Sequence, residues 1–386
     1  MKYIYGLGKS GFSIISFLKN IKEDYICWDD NKIIRNKILQ YNNKIKFLKP
    51  EKLNLKLIKE VFITPGISFE NKKLDILKKN NIKFSRDLNM YLNHLGGNEK
   101  IIAITGTNGK STTTKLIGDI LRFNRIDCFV GGNIGLPLME SKINHNSSIY
   151  HVIELSSYQL ESSENFNPFV SILLNLSPDH LDRYSNIEEY INQKQKIISS
   201  NKNSYNVISL DDKYCRNIFE KSKSENFIPI SKEPINEGVF FSNNKIVDNF
   251  FHKSKILNIP KISKSLFGKI NQENILASYV VSEILKLDNN NFFHSVGSFV
   301  GLPHRLEEII NNKKMLIINN SKATNIDASL KSIENYQNIY LVLGGLAKED
   351  NFIKFNKFKG KINKIYLIGK SKKMILNQLK DFFDIE

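Results

Sequence analysis

Cysteine is scarce: Cys27, Cys128 and Cys215 are the only three in 386 residues, with no C-x-x-C pair and no histidine pairing at zinc spacing. That excludes a disulfide framework, argues against a metal knuckle and fits a reducing compartment. Nowhere do eighteen apolar residues run together, and Met1 to Gly6 enters a strand-like segment without a basic, apolar and small-residue leader. The expectation is a soluble, cytoplasmic chain with no membrane partner. Acid is also short, with 39 Asp and Glu against 56 Lys and Arg, a net charge of +17. The excess is spread along the chain beside Ile and Asn, as in Asn42-Asn43-Lys44-Ile45-Lys46. It forms no basic stripe with interleaved aromatics, so no nucleic-acid partner is expected. The 41% hydrophobic content supports ordinary cores, and the length is too great for one, so two or three domains are expected.

Short apolar runs alternate with helix-period stretches, the pattern of an α/β fold whose parallel sheets are covered by helices. Buried strands are expected at residues 2–5, 25–28, 61–64, 101–105, 150–154, 170–175, 317–319, 339–343 and 365–368. Sites in such sheets collect at the carboxyl ends of strands. The His94-Leu-Gly-Gly-Asn98 stretch reads as a linker and a second break falls near Phe299, giving domains 1–93, 94–298 and 299–386. Within 204–258 the chain is β-rich, with a hairpin at Val239 to Val247 turned by Asn243 and Asn244.

Two glycine-rich turns follow strands. Gly6-Leu-Gly8-Lys9-Ser10-Gly11 is a complete G-x-G-x-x-G, with Asp29 and Asp30 ending the next strand. Amides at such a helix start bind phosphate and the acid reaches a ribose hydroxyl, which alone suggests NAD or FAD but also serves other nucleotides or mere packing. The second, Gly106-Thr107-Asn108-Gly109-Lys110-Ser111-Thr112, is the sharper signal. Its glycines let backbone N–H groups wrap a triphosphate, Lys110 neutralises phosphate oxygens, and Ser111 or Thr112 can ligate Mg²⁺. It departs from Walker spacing, because Ile104 stands five positions before Gly109. Further on, Glu154-Leu-Ser-Ser-Tyr-Gln-Leu-Glu161 and Asn175-Leu-Ser-Pro-Asp179-His180-Leu-Asp182-Arg183-Tyr184 also follow strands and open on the same sheet edge. Singly, Glu154 could be a helix cap and His180 a structural histidine; together with the phosphate loop they read as Mg²⁺ ligands.

These motifs, with Gly131-Gly-Asn133-Ile-Gly-Leu-Pro137, Gly301-Leu-Pro-His304-Arg305 and Asn320-Ser-Lys322-Ala-Thr324-Asn325, resemble the Mur ligase family, and within it the members that add D-glutamate. The resemblance covers residues 1 to about 370. It implies an N-terminal Rossmann-like domain for a UDP moiety, a central ATPase and a C-terminal α/β domain that admits the amino acid. Lys9, Ser10, Asp29, Thr64 and Gly66 would then face the uridine diphosphate, not a nicotinamide. Asn133 and His180 would contact the muramoyl substrate or its metal, Asn274 and Arg305 the adenosine side of ATP, and Asn320 would also belong to the ATP site. Lys322, Thr324 and Lys348 would approach glutamate and the transferred phosphate. A lysine after the Asp-His segment is carbamylated in the family; Lys194 fits that position best, with Lys196 as its neighbour.

The implied partners are ATP, two Mg²⁺ ions, UDP-N-acetylmuramoyl-L-alanine and D-glutamate, acting on a monomer in which Lys110, Glu154, His180 and Lys194 carry the catalysis. Ser111, Glu154, His180 and carbamylated Lys194 would hold the metal. Several positions depart from the family's pattern: Ile270 stands for a usual His, Asn320 for an Asp, and Arg86-Asp87 for a Gly-Asp pair. Relatives also continue beyond Glu386 by roughly half an ordinary domain, which predicts a truncated C-terminal domain and poor D-glutamate turnover. The competing readings are another Mur-type or folylpolyglutamate-type ligase, or a weakened binding protein for the UDP precursor or ATP.

Overall fold

The computed structural model describes residues 1–143, 148–163, 165–180, 183–222, 226–334, 336–347 and 350–386. Strands β1 (Lys2–Tyr5), β2 (Tyr25–Trp28), β3 (Glu60–Ile63) and β4 (Lys83–Ser85) form a parallel sheet in the order β2-β1-β3-β4. Tyr3, Ile4, Tyr5, Val61, Phe62 and Ile63 are all buried, the continuous apolar run that a parallel strand covered on both faces requires. The helix Lys9–Asn20 leaves β1 through a turn so tight that a Cβ on Gly11 would stand 2.1 Å from the Gly6 carbonyl oxygen.

The second sheet has nine strands: β5 (Lys100–Thr105), β6 (Cys128–Gly132), β7 (Tyr150–Glu154), β8 (Val170–Leu173), β9 (Tyr205–Ser209), β10 (Phe227–Ser231), β11 (Val239–Ser242), β12 (Lys245–Asp248) and β13 (Lys255–Asn258). Their order is β13-β12-β11-β10-β9-β8-β5-β7-β6, parallel from β6 to β11 and antiparallel at β12 and β13. The hairpin β11–β12 turns on Asn243 and Asn244, at φ 49° and 61°, as the sequence led us to expect.

Alternation along β5 divides two cores. Ile102 and Ile104 join the helices Lys110–Phe123 and Lys269–Ile284 in one apolar cluster. Ile101 and Ala103 point the other way, into a cluster shared with Ile4, Leu7, Ile14, Leu18, Leu88 and Tyr91 of the N-terminal sheet and its helices. Each such fully buried aliphatic side chain contributes about 1.5–3 kcal/mol.

Beyond Phe299 lie an antiparallel pair, β14 (Glu307–Asn311) with β15 (Leu316–Asn319), and a parallel pair, β16 (Ile339–Gly344) with β17 (Ile362–Ile368). A third core gathers the helices Ile326–Ile333 and Lys372–Leu379 and three buried phenylalanines around β17. After the last helix the chain returns to β17, where Ile385 bridges Ile365.

Two expected strands end early. β3 stops at Ile63 and β8 at Leu173, leaving Thr64 and Asn175 in the loops beyond. Strand β6 escaped the sequence reading because two glycines end it, and β4 because three residues show no period.

Candidate functional site

The phosphate-type loop leaves β5 between two neighbours, since β8 and β7 flank that strand. Gly109 caps the helix Lys110–Phe123 at φ 85°, and a Cβ there would stand 2.3 Å from Oδ1 of Asn274, so both conformation and space demand glycine. Asn175 braces the loop like a short strand. Its carbonyl accepts the Thr107 N–H at 2.7 Å, its Oδ1 accepts the Asn108 N–H at 2.8 Å, and its Nδ2 donates to the Asn108 carbonyl at 3.0 Å. That Nδ2 also donates to Oε2 of buried Glu273 at 3.0 Å, which fixes the amide's orientation. Burial pushes the Glu273 carboxyl up to about 7. Lys110 folds back over the loop, donating to the carbonyls of Gly106 at 2.8 Å and Thr107 at 2.7 Å.

Glu154 ends β7 and is 2% exposed. Its Oε2 accepts the Ser111 hydroxyl at 2.6 Å and its Oε1 accepts Nδ2 of Asn133 at 2.7 Å. Nη2 of Arg305 donates to the Ser111 oxygen at 2.9 Å, which ties the C-terminal segment to the loop. Arg305 thus touches Ser111 and lines the same cleft as Asn274 and Asn320. A serine hydroxyl touching a carboxylate beside a phosphate loop is a pair of hard oxygen donors, the chemistry Mg²⁺ accepts, so these residues fit that ion.

His180 belongs to a neighbouring group. Its backbone is left-handed at φ 58°, its Nδ1 lies 2.7 Å from the Tyr158 hydroxyl, and its Nε2 lies 3.5 Å from Asp179. Lys194 lies on the helix Ile187–Gln195 and is 2% exposed, with Nζ donating to the Gly106 carbonyl at 2.7 Å and to Oγ1 of Thr105 at 3.3 Å. Burial, then the nearby Lys110, hold its ammonium well below the ordinary lysine range. Lys196 instead donates to the Glu161 carbonyl at 2.7 Å, so Lys194 is the lysine of the two that reaches the loop.

A cleft between the loop and the C-terminal segment is lined by Asn108, Gly109, Thr112, Asn274, Arg305, Asn320 and Lys322, with Ile270 at its wall. Polar links cross it: Asn325 Nδ2 to Asn108 Oδ1 at 3.4 Å, and Asn108 Nδ2 to Asp327 at 3.4 Å. Asn320, the residue in place of a family Asp, accepts the Leu306 N–H at 3.2 Å. Lys322 and Thr324 are exposed, and Lys348 lies outside the described residues.

At the N-terminal turn, Lys9 and Ser10 open the helix and Thr64 packs against Gly6, with Gly66 in open space. Both oxygens of Asp29 accept backbone N–H groups, from Leu7 at 2.7 Å and Asn31 at 2.8 Å. Its place is therefore a clip on the turn, which differs from an acid reaching freely for a ribose.

The sequence reading passed over Asn175 and Glu273 as brace residues, Tyr158 beside His180, and the pairing of Glu161 with Arg86 and Arg183. Four of these lay inside quoted motifs and Arg86 stood out as a departure; Glu273 carried no signal. Among the described residues, one group of three His, Cys, Asp or Glu side chains is close enough to hold an ion: Asp248, His252 and Glu283. Lys255 already lies 3.4 Å from Glu283 and 3.3 Å from Nε2 of His252.

Residues 104–282 match the family description Mur ligase middle domain. Over its whole length the chain superposes on UDP-N-acetylmuramate-alanine ligase from Thermotoga maritima, covering 90% of that chain at TM-score 0.61 and 18% identity. It likewise superposes on a pseudomurein peptide ligase type C from Methanothermus fervidus, covering 88% of it at TM-score 0.60 and 18% identity. The chain belongs to the Mur ligase family, ATP-dependent enzymes that form amide bonds: over 99% of its length it is 37% identical to a relative from Rickettsia bellii, of which it covers 84%. That relative is named UDP-N-acetylmuramoylalanine--D-glutamate ligase, as is one from Rickettsia prowazekii at 39% identity, with 99% of this chain and 84% of that protein covered.

Proposed function

We propose that this chain joins D-glutamate to UDP-N-acetylmuramoyl-L-alanine at the expense of ATP, as a cytoplasmic monomer supplying peptidoglycan precursor. The observation that carries the reading is the group at the ends of β5 and β7, beside Lys110, in which Glu154 accepts from both Ser111 and Asn133 while Arg305 donates to Ser111. No helix among the described residues is long and apolar enough to cross a membrane.

A carboxylate does not acylate an amine in water unaided. The alanyl carboxylate attacks the γ-phosphate, giving an acyl phosphate and ADP; the amine of D-glutamate adds to that carbonyl, and the tetrahedral intermediate expels phosphate. The protein's part is alignment and charge neutralisation. Loop amides and Lys110 hold the phosphates, Arg305 adds a second cation, and Asn133 and His180 orient the muramoyl end. The UDP end lies over Lys9, Ser10, Thr64 and Gly66, and the amino acid enters beside Lys322, Thr324 and Lys348. Ser111 and Glu154 would hold one Mg²⁺, and His180 with a carbamylated Lys194 a second; the ions would neutralise phosphate charge. The low proton affinity of buried Lys194 favours the neutral amine that carbon dioxide requires.

The test is phosphate release with UDP-N-acetylmuramoyl-L-alanine, ATP and a panel of amino acids. Release that depends on D-glutamate is expected. Dependence on another amino acid would point to a sibling ligase, and binding without any release to a weakened binding protein.

A further inference from the structure

The side chain of Arg86 is completely buried, with its guanidinium stacked 3.9 Å from the Phe69 ring centre. From there Nη1 donates to the carbonyls of Thr64 and Ile67, each at 2.8 Å, while Nη2 pairs with Oε2 of Glu161. Arg183 approaches the same carboxylate from the other side. Its Nη2 donates to both Glu161 oxygens at 2.9 Å and its Nε to Oε1 at 3.2 Å, and Nη2 also reaches the Ile67 carbonyl at 3.3 Å. One carboxylate is therefore gripped by two guanidinium groups, and both also hold the loop that runs from Thr64 to Ile67.

The grip extends to the reacting end. The Arg183 N–H donates to the His180 carbonyl at 2.9 Å, and its guanidinium stacks 4.3 Å from the centre of Tyr158, whose hydroxyl lies 2.7 Å from Nδ1 of His180. Lys196 fixes the backbone of Glu161 itself. Bidentate carboxylate–guanidinium pairs are directional as well as strong, so they transmit position and not merely charge.

We propose that Glu161 is a positioning residue: through Arg86 and Arg183 it makes the 64–67 loop and the His180 segment one body, so that seating the UDP end of the precursor sets the His180 end. This rests on the reading above that Thr64 and Gly66 meet the diphosphate. The net effect is that a group far from the reacting carboxyl controls its alignment, where misplacement by about 1 Å can cost on the order of 100-fold in rate.

The test compares the unaltered chain with Glu161→Gln, Glu161→Asp and Arg183→Lys. Hydrogen exchange is followed in segments 64–67 and 183–190 with and without UDP as the probe, alongside steady-state kinetics. In the unaltered chain UDP should protect both segments. In E161Q it should protect only 64–67, with kcat at least tenfold lower, KM for the UDP precursor severalfold higher and KM for ATP unchanged. E161D should recover part of both. Should E161Q fail to fold, Arg183→Lys keeps the charge but loses the two-point grip, and the same split is expected. Equal protection of both segments in every variant, or KM for ATP rising in step with KM for the UDP precursor, would overturn the proposal and leave a structural ion pair. If UDP protects neither segment in the unaltered chain, the diphosphate reading fails and takes the coupling with it.

Discussion

The two glycine-rich turns are built alike and furnished differently. Each follows a buried parallel strand, each needs glycine where a Cβ would collide, and each opens a helix, Lys9–Asn20 in one case and Lys110–Phe123 in the other. The first is clipped by Asp29, and its lysine is not drawn over the turn by any hydrogen bond described here. The second is braced by neutral Asn175, has Lys110 folded onto it, and faces Glu154, Ser111 and Arg305. The glycine pattern dictates a shape that accepts phosphate; the chemistry comes from what adjacent strands deliver. The acid at the first turn is engaged by backbone N–H groups, whereas cations and a pair of hard oxygen donors gather at the second.

Lysine substitution should break that comparison most sharply. Lys110→Ala is expected to lower kcat by on the order of 1,000-fold, since removing one preorganised electrostatic partner commonly costs 10²–10³. Lys9→Ala at the matching place should change only KM for the UDP precursor, by less than about tenfold, as for an exposed charge. Initial rates on the two variants check this, and equal losses would erase the distinction.

The clips give a smaller contrast. Asn175→Ala leaves backbone groups of half-buried Asn108 unpaired, so a loss of about 1–3 kcal/mol in chemical unfolding is expected, with KM for ATP raised. Asp29→Asn keeps an acceptor for one N–H and should cost about 1 kcal/mol, with KM for ATP unchanged.

An effect of similar size concerns pH. Burial raises the Glu273 carboxyl to about 7 from the ordinary 4.5, so between those values the folded chain holds a proton that the unfolded chain has released. Stability from this group is complete below 4.5 and is lost as pH climbs towards 7. Glu273→Gln should remove that slope and gain on the order of 1–2 kcal/mol at pH 8 relative to the unaltered chain. Unfolding midpoints at pH 5 and 8 check it; an unchanged slope would mean the carboxyl is ionised throughout.

Much of this molecule was legible in its sequence because the signals are local. Strand, glycine and helix follow one another at Gly106 to Lys110, and the Asn243-Asn244 turn names its own geometry. The candidate residues Lys110, Glu154 and His180 lie at or beyond strand ends, where such sheets collect their sites, while Lys194 was pointed to by the family resemblance. What stayed hidden is pairing over long separations. Nothing in the neighbourhood of Glu273 announces that it will orient Asn175, 98 positions away. The burial of Arg86 depends on Glu161, 75 positions on, so the departure from a glycine was visible but its purpose was not.

The two seams of the chain are made of different stuff. Between the first sheet and the second runs a continuous oily contact, Ile4, Leu18 and Tyr91 against Ile101, Ala103 and Ile153, which water cannot replace. Across the cleft to the C-terminal segment the described ties are hydrogen bonds from Asn108, Asn325 and Arg305, each of which water can take over at little cost. Of the two seams, the polar one is the easier to part: opening there exchanges hydrogen bonds for water, whereas opening the apolar one would expose buried side chains.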